Sequence, residues 1–254
     1  MSLPGTRPAR TPERALRSGH HGLSRETVAS TQRDRIIDAF VQVAAERGYQ
    51  RTTVVAVCKQ AGVSSKTFYV HFADKEDCFL AAYDLGMDQL LGEVRQVCAA
   101  GDTWPDRLAA GLSRLLSELA AAPAFARMAV VEVNAAGPAA IDRLTAALRA
   151  CQAFFADAPW DSRLPDVKEG LVSAVIGGVY TRIRAAVVSG DAAHLPDALA
   201  ELRYFSLLPF VGRDAAAEGL VGQAGDPAPG GAQGAPLGPT DPALGLGASA
   251  VDSR

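Results

Sequence analysis

Residues 61–77 read AGVSSKTFYVHFADKED, and how this stretch folds decides how the chain is organised. Gly62-Val63 marks a tight turn, and Ser64 and Ser65 suit the start of a helix. The spacing predicts a short helix over 64–70. Val63 and Phe68 are placed to pack inward, which leaves Ser65, Lys66 and Thr67 outward. Asp74 and Asp77 then form a capping-box variant that opens a fresh helix. Acidic Asp74, Glu76 and Asp77 also suit the positive end of that helix's dipole.

Upstream, Ile36, Phe40 and Val43 make one stripe, with Ile37, Val41 and Ala44 beside it. That period predicts a helix over 31–46, stopped by Gly48. Thr52 or Thr53 caps a second helix carrying Val54, Val57 and Ala61. Three short helices with a tight turn before the third make a helix-turn-helix, whose second motif helix enters the major groove of DNA. Outward hydroxyls at Ser64, Ser65 and Thr67, with the Lys66 ammonium, suit base edges and phosphate oxygens. Tyr69 and His71 suit phosphate contact. Lys75, in the first turn of the next helix, adds charge beside free backbone N–H groups.

Charge is divided to match. Residues 1–80 carry 12 Lys/Arg against 8 Asp/Glu, and residues 81–254 carry 13 against 20. A basic first third on an acidic remainder suits a nucleic-acid module joined to a body that avoids phosphates. The rest is helical to about 210, with helices near 105–121, 123–135, 139–156 and 166–189 and a last one begun by Pro196. No convincing period-two strand occurs. The expected organisation is therefore a disordered basic arm at 1–30, a helix-turn-helix domain at 31–77, a helical domain at 78–210, and a tail at 211–254. That tail has ten glycines, five prolines and no aromatic residue, a composition expected to stay disordered. Arg25 and Arg33 of the arm region are candidates for the minor groove.

Within 33–84, the run RDRIIDAFVQVAAERGYQRTTVVAVCKQAGVSSKTFYVHFADKEDCFLAAYD resembles the DNA-binding region of the TetR family of bacterial transcriptional regulators. The GY..TT entry, the AGVS turn, the T-F-Y-x-H-F segment and the D-K-E helix start carry the likeness. Lys66 departs from it, since many members have glycine there, as does Cys58, where alanine is commoner. The resemblance implies an all-α homodimer with a C-terminal ligand-binding domain. It implies phosphate contacts from Thr53, Tyr69, His71 and Lys75, with Ser65, Lys66 and Thr67 nearest the bases. It also implies that the last two helices pair across the dimer, through Val172, Ile176, Val179, Ile183, Leu199, Leu202 and Phe205. A buried helix within one protomer explains the Val172–Ile183 stripe equally well.

For a pocket in the C-terminal domain the candidate walls are Phe125, Met128, Phe154 and Phe155, with Glu132 and Tyr180 as polar anchors. Its abundant small apolar side chains point to a mainly apolar effector. The expected function is a ligand-responsive regulator, a repressor released from a palindromic operator. A protein-binding co-regulator of the same fold that leaves DNA alone is the alternative. Neither a hydrolytic triad nor a phosphate-binding glycine loop is assembled, so enzymatic activity and a cofactor are not expected. Cys58, Cys78, Cys98 and Cys151 form no C-x-x-C pair, so no metal site is expected either. The N-terminus lacks the apolar middle of a secretory signal, and no run of about 18 uninterrupted apolar residues suggests a membrane span. A cytoplasmic protein is expected.

Overall fold

In a computed structural model, residues 2–8, 25–160 and 167–221 are described, and every regular element among them is helical. α1 (Arg25–Arg47) buries Ile36, Ile37, Phe40, Val41 and Ala44 completely, the two adjoining stripes read from its period. Gly48, at φ +81°, ends it. α2 (Val54–Ala61) is N-capped by Thr53, whose hydroxyl accepts the Ala56 N–H at 3.2 Å. Gly62 closes α2 in the left-handed region at φ +65°, where a side chain would be strained. The turn delivers α3 (Ser65–His71), and α4 (Lys75–Cys98) follows. At the start of α4, Asp74 accepts the Asp77 N–H at 2.9 Å, and Asp77 accepts the Ala73 N–H at 2.9 Å. Two otherwise orphaned donors are thus satisfied reciprocally.

The N-terminal region departs from the disorder expected over 1–30. α1 begins at Arg25 and incorporates both Arg25 and Arg33. Residues 2–8 lie along its outer side, with Leu3 only 3% exposed. The Gly5 N–H donates to Asp38 at 2.9 Å, Gln42 donates to the Gly5 and Arg7 carbonyls, and Arg7 pairs with Asp38 at 3.3 Å. A buried leucine and satisfied backbone groups hold this segment. The rest of the expected arm, 9–24, lies outside the described residues.

The second half consists of α5 (Trp104–Ala121), α6 (Pro123–Val130), α7 (Pro138–Ala150), α8 (Lys168–Val188), α9 (Leu199–Val211) and α10 (Arg213–Val221). Short 3-10 segments at Glu132–Ala135 and Cys151–Phe155 interrupt what the period reads as longer helices. α10 falls in the expected tail, where Ala216 is fully buried. The remainder of that tail, 222–254, lies outside the described residues.

α4 is the spine of the molecule. Its Phe79 meets Phe40 and Tyr49 edge-on and stacks with Tyr83, so one apolar core continues from α1 through α4 into α6 and α8. At Gly86 a Cβ would stand 2.0 Å from the Phe125 ring, so the missing side chain lets α6 seat Phe125 against α4. Gly86→Ala is expected to destabilise the protein by about 1–3 kcal/mol through overpacking, seen as a lower urea midpoint at unchanged slope.

Candidate nucleic-acid interface and effector cavity

α3 is anchored by one side chain. Phe68 is fully buried, with Phe72 just beyond the helix at 3% exposure. Their rings lie 5.6 Å apart. Ser65, Lys66, Tyr69 and Val70 are exposed, Tyr69 by 59% and Val70 by 72%. Thr67 is half-buried, and its hydroxyl meets that of Ser64 at 2.9 Å. The outward set read from the sequence omits Val70, because an apolar residue is ordinarily credited to a core. Val55 on α2, 71% exposed, is missed for the same reason.

Three expected contacts are placed differently. The Lys75 ammonium is held half-buried over the Tyr49 ring at 4.3 Å and donates to the carbonyls of Tyr49 (3.1 Å) and Thr52 (3.4 Å). It therefore clasps the turn before α2 rather than reaching outward. Ser64 and Thr53 act as N-caps, Ser64 accepting the Thr67 N–H at 3.0 Å. Their hydroxyls are committed to backbone donors, although both residues remain at the surface. His71 is half-buried at the end of α3, and burial, then the nearby Arg33 charge, push its pKa below the usual histidine value.

Burial pushes the Cys58 thiol up and the Cys78 thiol well up, so neither is a ready thiolate. Both are expected to resist a thiol-reactive disulfide at pH 8 until the protein is unfolded by urea. Fast labelling of the native protein at Cys58 would contradict this.

A cavity of about 130 Å³ lies against α4. Tyr83, Leu90, Val94 and Cys98 line one wall, and Leu112, Leu148, Phe154, Phe155 and Tyr180 are among the others. The α4 wall, from Tyr83 to Cys98, extends about 22 Å. Among the described residues no charged side chain lines it.

Of the residues expected at a pocket, Phe154, Phe155 and Tyr180 are in this wall, and Tyr180 donates its hydroxyl to the Val130 carbonyl at 3.1 Å. Phe125, Met128 and Glu132 are not among its lining residues. Phe125 fills the Gly86 notch and Met128 is fully buried elsewhere in the core. Glu132 accepts the Tyr49 N–H at 2.8 Å and pairs with Arg127 at 3.3 Å. With Gln50 donating to the Ala135 carbonyl at 2.9 Å, it ties the end of α6 to the turn that leads into α2.

The expected dimer stripe is also corrected. Val172, Ile176, Ile183 and Leu202 are buried within the protomer, and Val179 and Leu199 pack against its core. Phe205 is 42% exposed and lies on Gly178, where a Cβ would come within 2.7 Å of its ring. α8 is apolar on more than its inner face. At 21 residues and mean hydropathy 1.5 it is long and apolar enough to cross a membrane by length and composition, yet only 33% of that window is buried. Gly177, Thr181, Arg184, Ala185 and Val188 form its outer side, and Leu208 on α9 is exposed.

An exposed, aromatic-anchored helix after a glycine turn, borne on a helical body with a cavity along its spine, defines a helix-turn-helix protein of the regulator class. Residues 36–82 match the family model for bacterial regulatory proteins of the tetR family. The fatty acid metabolism regulator protein of Bacillus subtilis (strain 168) is 36% identical over 86 residues. That match spans 34% of this chain and 44% of the relative's length. Among solved structures, the fatty acid degradation regulator FadR of Bacillus halodurans superposes with TM-score 0.58 at 22% identity, over 72% of this chain and 97% of that one. FadR of Bacillus subtilis in complex with stearoyl-CoA gives 0.57 at 23% identity, over 70% and 97%. At these identities the likeness to the two structures is one of fold.

Proposed function

We propose that this protein is a ligand-responsive transcriptional repressor that leaves its operator when a long acyl chain enters the cavity. The observation that carries the reading is the charge-free cavity running beside α4, the helix that begins directly after α3. An acyl chain suits such a space, because each buried CH₂ contributes roughly 0.8 kcal/mol and the described wall is apolar apart from a few groups such as the Tyr83 and Ser206 hydroxyls. The polar part of the ligand stays outside on this reading, since none of the described residues lining the cavity is charged. The stearoyl-CoA held by the fold relative from Bacillus subtilis supports this chemistry and supplies a probe.

Two copies are required for a palindromic site. A second protomer covers the outer side of α8 and α9, pairing Gly177, Thr181, Ala185 and Val188 with Phe205 and Leu208. Such a face is self-complementary in a two-fold dimer. It sets the two α3 helices about 34–36 Å apart, one turn of B-DNA. Ala185→Arg sets a second guanidinium beside Arg184 in that face and is expected to halve the mass measured by sedimentation equilibrium. An unchanged mass would move the interface elsewhere. As a regulator of transcription the protein works in the cytoplasm.

The reading is tested by selecting duplexes from a random-sequence pool with purified full-length protein, then titrating stearoyl-CoA against the best one. Expected are an inverted-repeat site, steep loss of affinity with salt, and release on adding the acyl-CoA but not free coenzyme A. Recovery of no preferred duplex would favour the co-regulator alternative instead.

A further inference from the structure

The wheel of α3 ranks its exposed residues. Successive residues turn about 100°, so Lys66 and Val70, each two positions from Phe68, stand about 160° away from it. Thr67 and Tyr69 lie about 100° to either side, and Ser65 and His71 about 60°. Phe68 is the residue that α3 buries. The helix therefore presents Lys66 and Val70 foremost, with Thr67 and Tyr69 on its flanks. A helix seated in the major groove turns its foremost residues to base edges and its flanks to the two phosphate walls.

Val70 is otherwise hard to account for. It is 72% exposed, lies outside the protomer's core, and is a β-branched residue in a seven-residue helix, where it lowers propensity. In the major groove one base edge carries an apolar group, the 5-methyl of thymine. Lys66 complements this. Its ammonium is donor-only, whereas guanine offers two acceptors, N7 and O6, and cytosine offers a donor. The two side chains are about 6 Å apart along the axis, close to two base-pair steps.

Building on the DNA-binding reading above, we infer that Lys66 and Val70 are the specificity-determining pair, reading a guanine and, about two base pairs away, a thymine methyl. Ser65 and Thr67 hydroxyls accept several bases and discriminate less.

The test takes the best selected duplex and replaces each thymine of a half-site by uracil, one at a time. Binding is followed by fluorescence anisotropy. One uracil is expected to weaken the wild-type protein about fourfold, the worth of one methyl-sized group returned to water, and to leave Val70→Ala unaffected. Replacing a guanine about two pairs from it with 7-deazaguanine should weaken the wild type and not Lys66→Ala. Val70→Ala should melt with the wild type, its side chain being outside the core. Insensitivity of the wild type to every uracil, or undiminished sensitivity in Val70→Ala, overturns the pairing while the DNA-binding reading stands. Selection of no duplex removes both.

Discussion

Phe68→Ala is expected to abolish specific operator binding while the effector domain stays folded. The seven residues of α3 are far too few to hold a helix alone, and Phe68 is the one among them that is buried. Emptying its site removes edge-on contact with Tyr69 at 5.5 Å and the contact with Phe72. Phe→Ala changes in cores cost about 3–5 kcal/mol, against a total stability of about 5–15 kcal/mol for a typical domain. The loss falls first on the elements nearest the gap. Amides of α2 and α3 should exchange with solvent faster, while those of α5 and α8 change little. Operator affinity should drop by two orders of magnitude or more, with Phe68→Leu retaining most of it because volume is largely kept. Near-normal operator binding by Phe68→Ala would show that α3 needs no such anchor.

The reading head is legible in the sequence because its determinants are local. Gly62, Ser64, Asp74 and Asp77 each act within four residues of their own position, and the hydrogen bonds they make are those the residue types predict. The positions of α5 to α8 follow from period and proline for the same reason, whereas Pro196 lies within a 3-10 segment (Ala192–Ala198) and the helix expected to begin there starts at Leu199. Which face turns where is a tertiary matter. α8 is apolar nearly all round, so its period cannot separate the side packed on α6 from the side left open. Phe125 looks like any large apolar wall until Gly86 opposite it is known. Lys75 reads as a surface cation, yet the carbonyls that capture it come from residues 49 and 52. Val70 is the converse case, an apolar residue placed outward because Phe68 already fills the inward position.

Glu132→Ala is expected to bind the acyl effector normally and fail to let go of DNA. Ala129 and Val130 line the cavity, and two residues later the Glu132 carboxylate accepts the Tyr49 N–H. Tyr49 in turn carries the Lys75 ammonium on its ring and meets Phe79 edge-on at 5.4 Å. On the proposed reading, a chain entering the cavity would displace α6, and Glu132 would pass that displacement to the turn from which α2 and α3 depart. Removing the carboxylate leaves a buried donor unpaired, at a cost of about 1–3 kcal/mol, and disconnects α6 from the turn. Arg127 is 39% exposed, so its half of the pair is screened and weighs little. Wild-type coupling of about 1–3 kcal/mol corresponds to a 5–150-fold change in operator affinity, and the variant should approach no change at all. Because coupling is reciprocal, operator DNA should lower effector affinity by the same factor in the wild type and hardly at all in the variant. Glu132→Gln keeps an acceptor oxygen for Tyr49 and should retain most of the response. Release of Glu132→Ala at wild-type effector concentrations would place the transmission elsewhere along α4, and loss of effector binding itself would return Glu132 to the pocket.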